Sequence, residues 1–361
     1  MSRLRCIQSA IGLAVVVLLI GSLLWWNFGS GPNERPSRDG VGSTAATGAE
    51  LRILAYSSFA ASWGPGPALV DLFEEQMKKE KNDVSVVLLQ AEDAGLLLAK
   101  MDSFPADIVL GFDQLGMRLA KKQKGWRAHK VRGAKYSDEK FLAFDWAPIG
   151  FIYRKGEIEP PKDFADLLDV RFESSIALQD PRSSSPGFQF LNWLVTEMGE
   201  DEAFEYLKKL KPNVHSMSGS WSQAYGLFTR GLAKITFSYA TSILYHRMSE
   251  NDQRYEFAKF PVAHPVQIEF AAISDHCRSC SMAEKFMFFL NQPEAQAIIM
   301  NRNWMFPVND KAIAGTPFSA FLTEIKSQSA TPLTIDPSLF MSRAAAASPE
   351  ALLKRWREAE R

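Results

Sequence analysis

Aromatic, carboxylate and small hydroxyl side chains recur in this chain where apolar runs end. Tyr56 and Trp63 follow the first such run, Asp93 the second and Asp113 the third. Trp221, Tyr239, Tyr245 and Trp304 follow later. The aromatics leave flat surfaces for a ligand, and Asp93 and Asp113 are carboxylates at the same kind of position. Each aromatic taken singly also reads as core or rim. Each aspartate also reads as a helix N-cap, Asp93 before Gly95-Leu96 and Asp113 before Leu115.

The most informative stretch runs from Ile176 to Trp193, I-A-L-Q-D-P-R-S-S-S-P-G-F-Q-F-L-N-W. A short apolar strand ends at Gln179. Ser183, Ser184 and Ser185 follow, then Pro186, then Phe188, Leu191, Trp193 and Leu194 at helical spacing. Serine before a proline just inside the pattern marks a helix N-terminus. Its free N–H groups and partial positive charge suit an anionic or polar group. An ordinary strand-to-helix turn capped by a serine is the competing reading.

Covalent chemistry has little to draw on. No cysteine lies between Cys6 and Cys277, so a thiol nucleophile in the middle of the chain is missing. Cys277 and Cys280, in C-R-S-C, read first as a local disulfide, then as free thiols, and least as a redox site. Beyond these two and His276 no further zinc ligand is near. Neither a catalytic residue nor a bound cofactor or metal is expected.

The elements that must position these residues follow from the order of the chain. Its 361 residues allow two domains. With 41 basic and 41 acidic residues the net charge is zero, which gives no electrostatic case for nucleic acid. The run from Ala10 to Trp26 carries no charge, follows Arg3 and Arg5, and ends in Trp25-Trp26. Residues 1–28 therefore read as a membrane anchor or a signal, with an uncleaved anchor favoured and the rest of the chain outside. Residues 29–50, rich in Gly, Ser, Pro and Thr, read as a flexible tether.

From Leu51 strands and helices alternate in the β-α-β rhythm of a parallel sheet covered by helices. Phe141 to Tyr153 is a long apolar strand interrupted by Pro148 and Gly150, after which the rhythm restarts. Val266 to Ile273 is a second long strand. Two α/β lobes joined by these strands make a cleft, with residues 51–146 and 266–361 in the first lobe and 147–265 in the second. Ligands of open α/β sheets sit at the carboxyl ends of strands, where the aromatic and acidic residues above fall. Asp145, on the first crossing strand, is a candidate tie for the hinge. Residues 310–345 read as irregular, and residues 349–361 as a basic amphipathic helix.

Six stretches together resemble bacterial periplasmic thiamine-binding proteins. They are Y-S-S-F-A-A-S-W-G-P-G-P from Tyr56, A-D-I-V-L-G-F-D from Ala106, Q-D-P-R-S-S-S-P-G from Gln179, W-S-Q-A-Y-G-L-F from Trp221, S-Y-A-T-S-I-L-Y-H from Ser238 and N-W-M-F-P-V from Asn303. The resemblance runs from about Leu51 to the C-terminus. It implies the two-lobed α/β fold of type II periplasmic binding proteins, and the role of substrate receptor for an ABC importer of thiamine and its mono- and diphosphate. The partners it implies are a membrane permease and its ATPase, and the implied location is the periplasm. By position it implies ligand contacts at Asp93, Ser184, Ser185, Trp221, Tyr239, Ala240, Thr241 and Ser242, with Tyr56, Tyr245 and Trp304 as aromatic walls. The chain departs from the family pattern at Ser57, Ala94 and Ala240. The serines are expected to face the ligand's hydroxyethyl or phosphate tail and the aromatics its rings. A polyamine receptor would use similar residues and is the alternative. A ferric receptor would want an adjacent tyrosine pair, and a thiaminase a cleft cysteine; the sequence has neither.

Overall fold

The apolar runs β1 (Ala49–Tyr56), β2 (Val84–Ala91) and β3 (Ile108–Phe112) form the parallel edge of the first sheet, with β1 between the other two. The computed structural model describes residues 48–327 and 348–359. The expected anchor and nearly all of the tether lie outside the described residues. Among the described residues no helix is long and apolar enough to cross a membrane. The Pro65–Lys79 helix opens on a proline and turns Leu69, Phe73 and Met77 onto this sheet. That is the i, i+4, i+8 stripe of a helix with one buried face.

β5 (Phe141–Arg154) is a single strand of 14 residues, almost wholly buried. Its first half pairs with β10 (Val266–Ser274), and β10 in turn pairs with β3. From Ile149 onward β5 pairs instead with β8 (Ile235–Tyr239). The second sheet continues from β8 to β6 (Ile176–Gln179) and β7 (Val214–Ser218). Short strands β4 (Trp126–Arg127), β9 (Tyr255–Phe257) and β11 (Phe306–Pro307) add to β10 or β5. A second core fills in beneath β6 and β8. There the Ser185–Met198 helix brings Phe190 and Trp193 against Phe151 and Phe237.

Three expectations need correction. Only β5 is shared by the two sheets; β10 pairs wholly within the first, its start opposite Pro148. The sheets are mixed, because β10 runs antiparallel to both neighbours and β5 antiparallel to β8. Residues 310–327 are not irregular but hold the Asp310–Ile313 and Pro317–Ser327 helices. Phe318, Phe321 and Ile325 recur there at helical spacing and are buried, Phe318 and Phe321 against Phe306. β7, V-H-S-M-S, is too polar to announce itself.

Candidate ligand-binding cleft

Where the strands of both sheets end, a cavity of about 740 Å³ opens between them. Its floor is polar. Tyr56, the last residue of β1, donates its hydroxyl to Glu269 Oε2 at 2.6 Å. Gln267 Nε2 donates to Glu269 Oε1 at 3.0 Å and to the Tyr239 hydroxyl at 2.8 Å. Asn303, at the end of the Pro293–Asn303 helix, donates to Tyr56 Oη at 2.9 Å and to Asp145 Oδ2 at 2.8 Å. Gly111, at φ +112, makes room for Tyr56, since a Cβ there would lie 2.3 Å from the ring.

Asp145 and Glu269 face each other across β5 and β10, a placement that disfavours two negative charges. Burial pushes the Glu269 carboxyl up to about 8, aided by Asp113 and Asp93. Burial, and then Glu269, raise Asp145 well above the usual carboxylate range.

The walls are aromatic. Trp221 opens the Trp221–Thr229 helix and stacks on Tyr225 with centroids 4.9 Å apart. Its Nε1 donates to Ser238 Oγ at 2.9 Å, which fixes the ring. Tyr239 ends β8, and Tyr245 lies on the Ser242–Ser249 helix with its ring edge toward Trp304. Trp304 caps the preceding helix in the left-handed region, at φ 55. A bulky residue held there costs energy, and such strain gathers where a side chain must be aimed. Trp63 stands at the mouth, 59% exposed.

Asp93 joins the two lobes. Its side chain accepts from the Ala94 backbone N–H at 2.6 Å and, across the cleft, from that of Trp221 at 2.8 Å. It is thus both a local cap and a clamp on a helix start in the other lobe. Burial still raises its carboxyl to about 6.

Of the residues singled out from the sequence, Tyr56, Trp63, Asp93, Trp221, Tyr239, Ser242, Tyr245 and Trp304 line the cavity. Asp113, Ser184, Ser185, Ala240 and Thr241 do not. Asp113 caps the Gln114–Gln123 helix through Gly116 N–H at 2.6 Å and accepts from Gln189 at 2.7 Å. Ser184 and Ser185 are buried behind the Asp93–Gly95 segment, which packs so closely that a Cβ on Gly95 would lie 2.4 Å from the Ser183 carbonyl oxygen. Ser184 precedes the helix but its hydroxyl does not cap it. That hydroxyl lies beside Asp93, where it offsets part of the burial, without a well-formed hydrogen bond. Thr241 Oγ1 is buried and unpartnered. Cys277 and Cys280 are joined as a disulfide at the start of the Cys280–Leu290 helix, away from the cavity.

Sequence reasoning missed Glu269, Tyr225, Asn303 and Glu250, all of which line the cavity. Glu269 had a signal: it is the one charge within V-Q-I-E-F-A-A-I-S, a strand buried throughout. A carboxylate there must have partners or a purpose.

A mixed two-lobed α/β architecture with an aromatic cleft at the strand ends is that of a periplasmic ligand receptor. Residues 66–325 match the family of bacterial extracellular solute-binding proteins, and the chain belongs to that family of receptors, which are not enzymes. The chain is 34% identical over 275 residues to the thiamine-binding periplasmic protein of Salmonella typhimurium, an alignment spanning 73% of this chain and 82% of that one. It is 33% identical over 269 residues to the protein of the same description from Escherichia coli, spanning 72% and 80%. Among solved structures, a periplasmic thiamin binding protein superposes with a TM-score of 0.72 at 29% identity, covering 89% of this chain and 99% of that one.

Proposed function

We propose that this protein binds thiamine or its phosphate esters in the interlobe cleft and delivers them to the permease of an ABC importer. The observation that carries the reading is the pairing of aromatic faces with carboxylates. Trp221, Tyr225, Tyr239, Tyr245 and Trp304 surround a cavity that also takes in Asp93, Glu250 and Glu269. Thiamine is a flat aminopyrimidine joined to a permanent thiazolium cation, so ring faces and negative charge are what it demands. The named relatives support the same ligand.

In this reading the aromatics hold the rings. The hydroxyethyl or phosphate tail is directed to the Ser184–Ser185 helix start and to the Thr241–Ser242 turn, whose N–H and hydroxyl groups donate without a lysine. Reaching Ser184 and Ser185 requires the Asp93–Gly95 segment to move back, as hinge opening at β5 would allow. The protein works in the periplasm, with residues 1–28 as its hold on the inner membrane. Deletion of that segment should lower import in cells at equal receptor level, and undiminished import would remove the anchor from the account.

Calorimetry with thiamine, its monophosphate, its diphosphate and spermidine tests the whole reading. Submicromolar binding of a thiamine form with spermidine silent is expected. A folded protein that binds spermidine and no thiamine form would overturn it.

A further inference from the structure

The floor of the cavity holds the Glu269 carboxyl, with the buried Asp145 carboxyl directly across the strand from it. Asp145 and Glu269 are direct cross-strand partners, both buried. Among the described residues neither forms an ion pair with a lysine, arginine or histidine. The groups around them are Tyr56 from β1, Gln267 from β10, Asn303 from the helix end and Tyr239 from β8, with Asp93 and Asp113 as further negative charges. Arg302 and Glu250 also line the cavity and are exposed. Two ionised carboxylates in such a place would repel each other with little solvent to screen them.

The two acids are not equivalent. Asp145 has a single hydrogen bond, from Asn303 to Oδ2, while its Oδ1 is buried and unpartnered. It is the natural holder of a permanent proton. Glu269 faces the cavity and accepts from Tyr56 on one oxygen and Gln267 on the other. That shell is made for an anion. It also accommodates the neutral acid. If Glu269 carries a proton on Oε2, that proton donates to Tyr56 Oη, and the tyrosine hydrogen turns to Asn303 Oδ1, 3.3 Å away. One heavy-atom arrangement therefore serves both charge states, at the cost of a hydroxyl rotation.

We propose that Glu269 selects for ligands with a fixed positive charge by exchanging its own proton for that charge: neutral in the empty cleft, it releases one proton to solvent when the cation enters, while Asp145 keeps its own. This goes beyond the ligand assignment but rests on it. The exchange keeps the charge of the floor nearly constant. A neutral ligand of the same shape gains no such partner and releases no proton. Binding of the cation strengthens as pH rises, by at most about tenfold per pH unit over the range in which the empty cleft still holds the proton.

Calorimetry on the whole protein at pH 7, in phosphate and in Tris, reads the proton count directly from the difference in apparent heat. Thiamine should release close to one proton, and its affinity should climb between pH 5.5 and 7.5. The isostere with thiophene in place of thiazolium should bind without proton release and without pH dependence. In Glu269→Gln the thiamine release at pH 7 should fall close to zero, leaving only the slope at lower pH that Asp93 contributes, while the isostere still binds, which shows that the cleft is intact. Thiamine binding with no buffer dependence in the unaltered protein overturns the proposal, whatever the variant does. A carbon-13 titration of the carboxyl groups in the empty protein gives an answer independent of the ligand. A Glu269 carboxyl still protonated near neutrality supports the exchange, and one that ionises below pH 5 overturns it. If thiamine fails to bind and Glu269 nevertheless holds its proton, the ligand assignment falls and the charge-selecting floor stands.

Discussion

At the β10 end of the cleft both oxygens of Glu269 have donors, whereas the Ser184 hydroxyl at the Ser183–Pro186 turn and the Thr241 hydroxyl after β8 lie buried without a well-formed bond. The first end is fixed by strands and by a helix terminus. The second depends on two segments from different lobes that press together at Gly95 and Ser183. A buried polar group without a partner costs about 1–3 kcal/mol. Glu269 is therefore held in place in advance, and the serine end gains from any acceptor brought to it. Recognition of the rings and recognition of the tail should be separable by mutation.

The sharpest test is at the wall that both ends share. Trp221→Ala removes the face stacked on Tyr225 and the bond to Ser238. A loss of ~2 kcal/mol or more in affinity is expected, common to all thiamine forms. Unchanged affinity by calorimetry would remove Trp221 from the site. Next in size is the serine end. Ser184→Ala with Ser185→Ala should weaken the phosphorylated forms by about tenfold and free thiamine by much less. An equal loss for all forms would erase the contrast between the two ends.

A smaller effect is expected in the thermal stability of the empty protein. Asp93 is raised to about 6 and Glu269 to about 8, mainly by burial. Acids raised in the folded state bind protons more tightly there than in the unfolded chain. Their contribution is fully present below about pH 4 and is lost as pH rises through 6 and then 8. The Tm should therefore be higher at pH 6 than at pH 8, and Glu269→Gln should flatten most of that difference. A Tm that rises from pH 6 to pH 8 in both proteins would contradict the burial argument. Smallest of all is Asp113→Asn, which weakens a helix cap outside the cavity. About 1 kcal/mol of stability should go, with thiamine affinity within about twofold. A large affinity loss would return Asp113 to the site.

The strands that carry apolar runs, and helices such as Ser185–Met198, were legible because burial imposes a period on the sequence. The direction of β10 was not. A strand buried on both faces looks the same whichever way it runs, and its partner is set by residues far away in the chain. The aromatic part of the site was legible because Trp221, Tyr239 and Trp304 fall at element ends. Asp93 reads in the sequence as cap or ligand group, and its two oxygens show why: one accepts from its own turn and the other from Trp221. Asp113 resembled it in sequence, yet both its oxygens are taken within the packed interior. Nothing in either aspartate's neighbours along the chain distinguishes them.

The place of β10 in the first sheet also has a consequence in time. It lies between β3 and β5, so the strands made first cannot join the rest of their sheet until residue 274 has been synthesised. The second sheet needs nothing beyond β9, which ends at Phe257. The strands of the second sheet can therefore pair before those of the first are complete, although Phe188, Leu191 and Phe204 on its helices stay uncovered until Leu352 and Trp356 arrive. Until β10 is made, β3 presents an unpaired apolar edge, of the kind that invites misassociation.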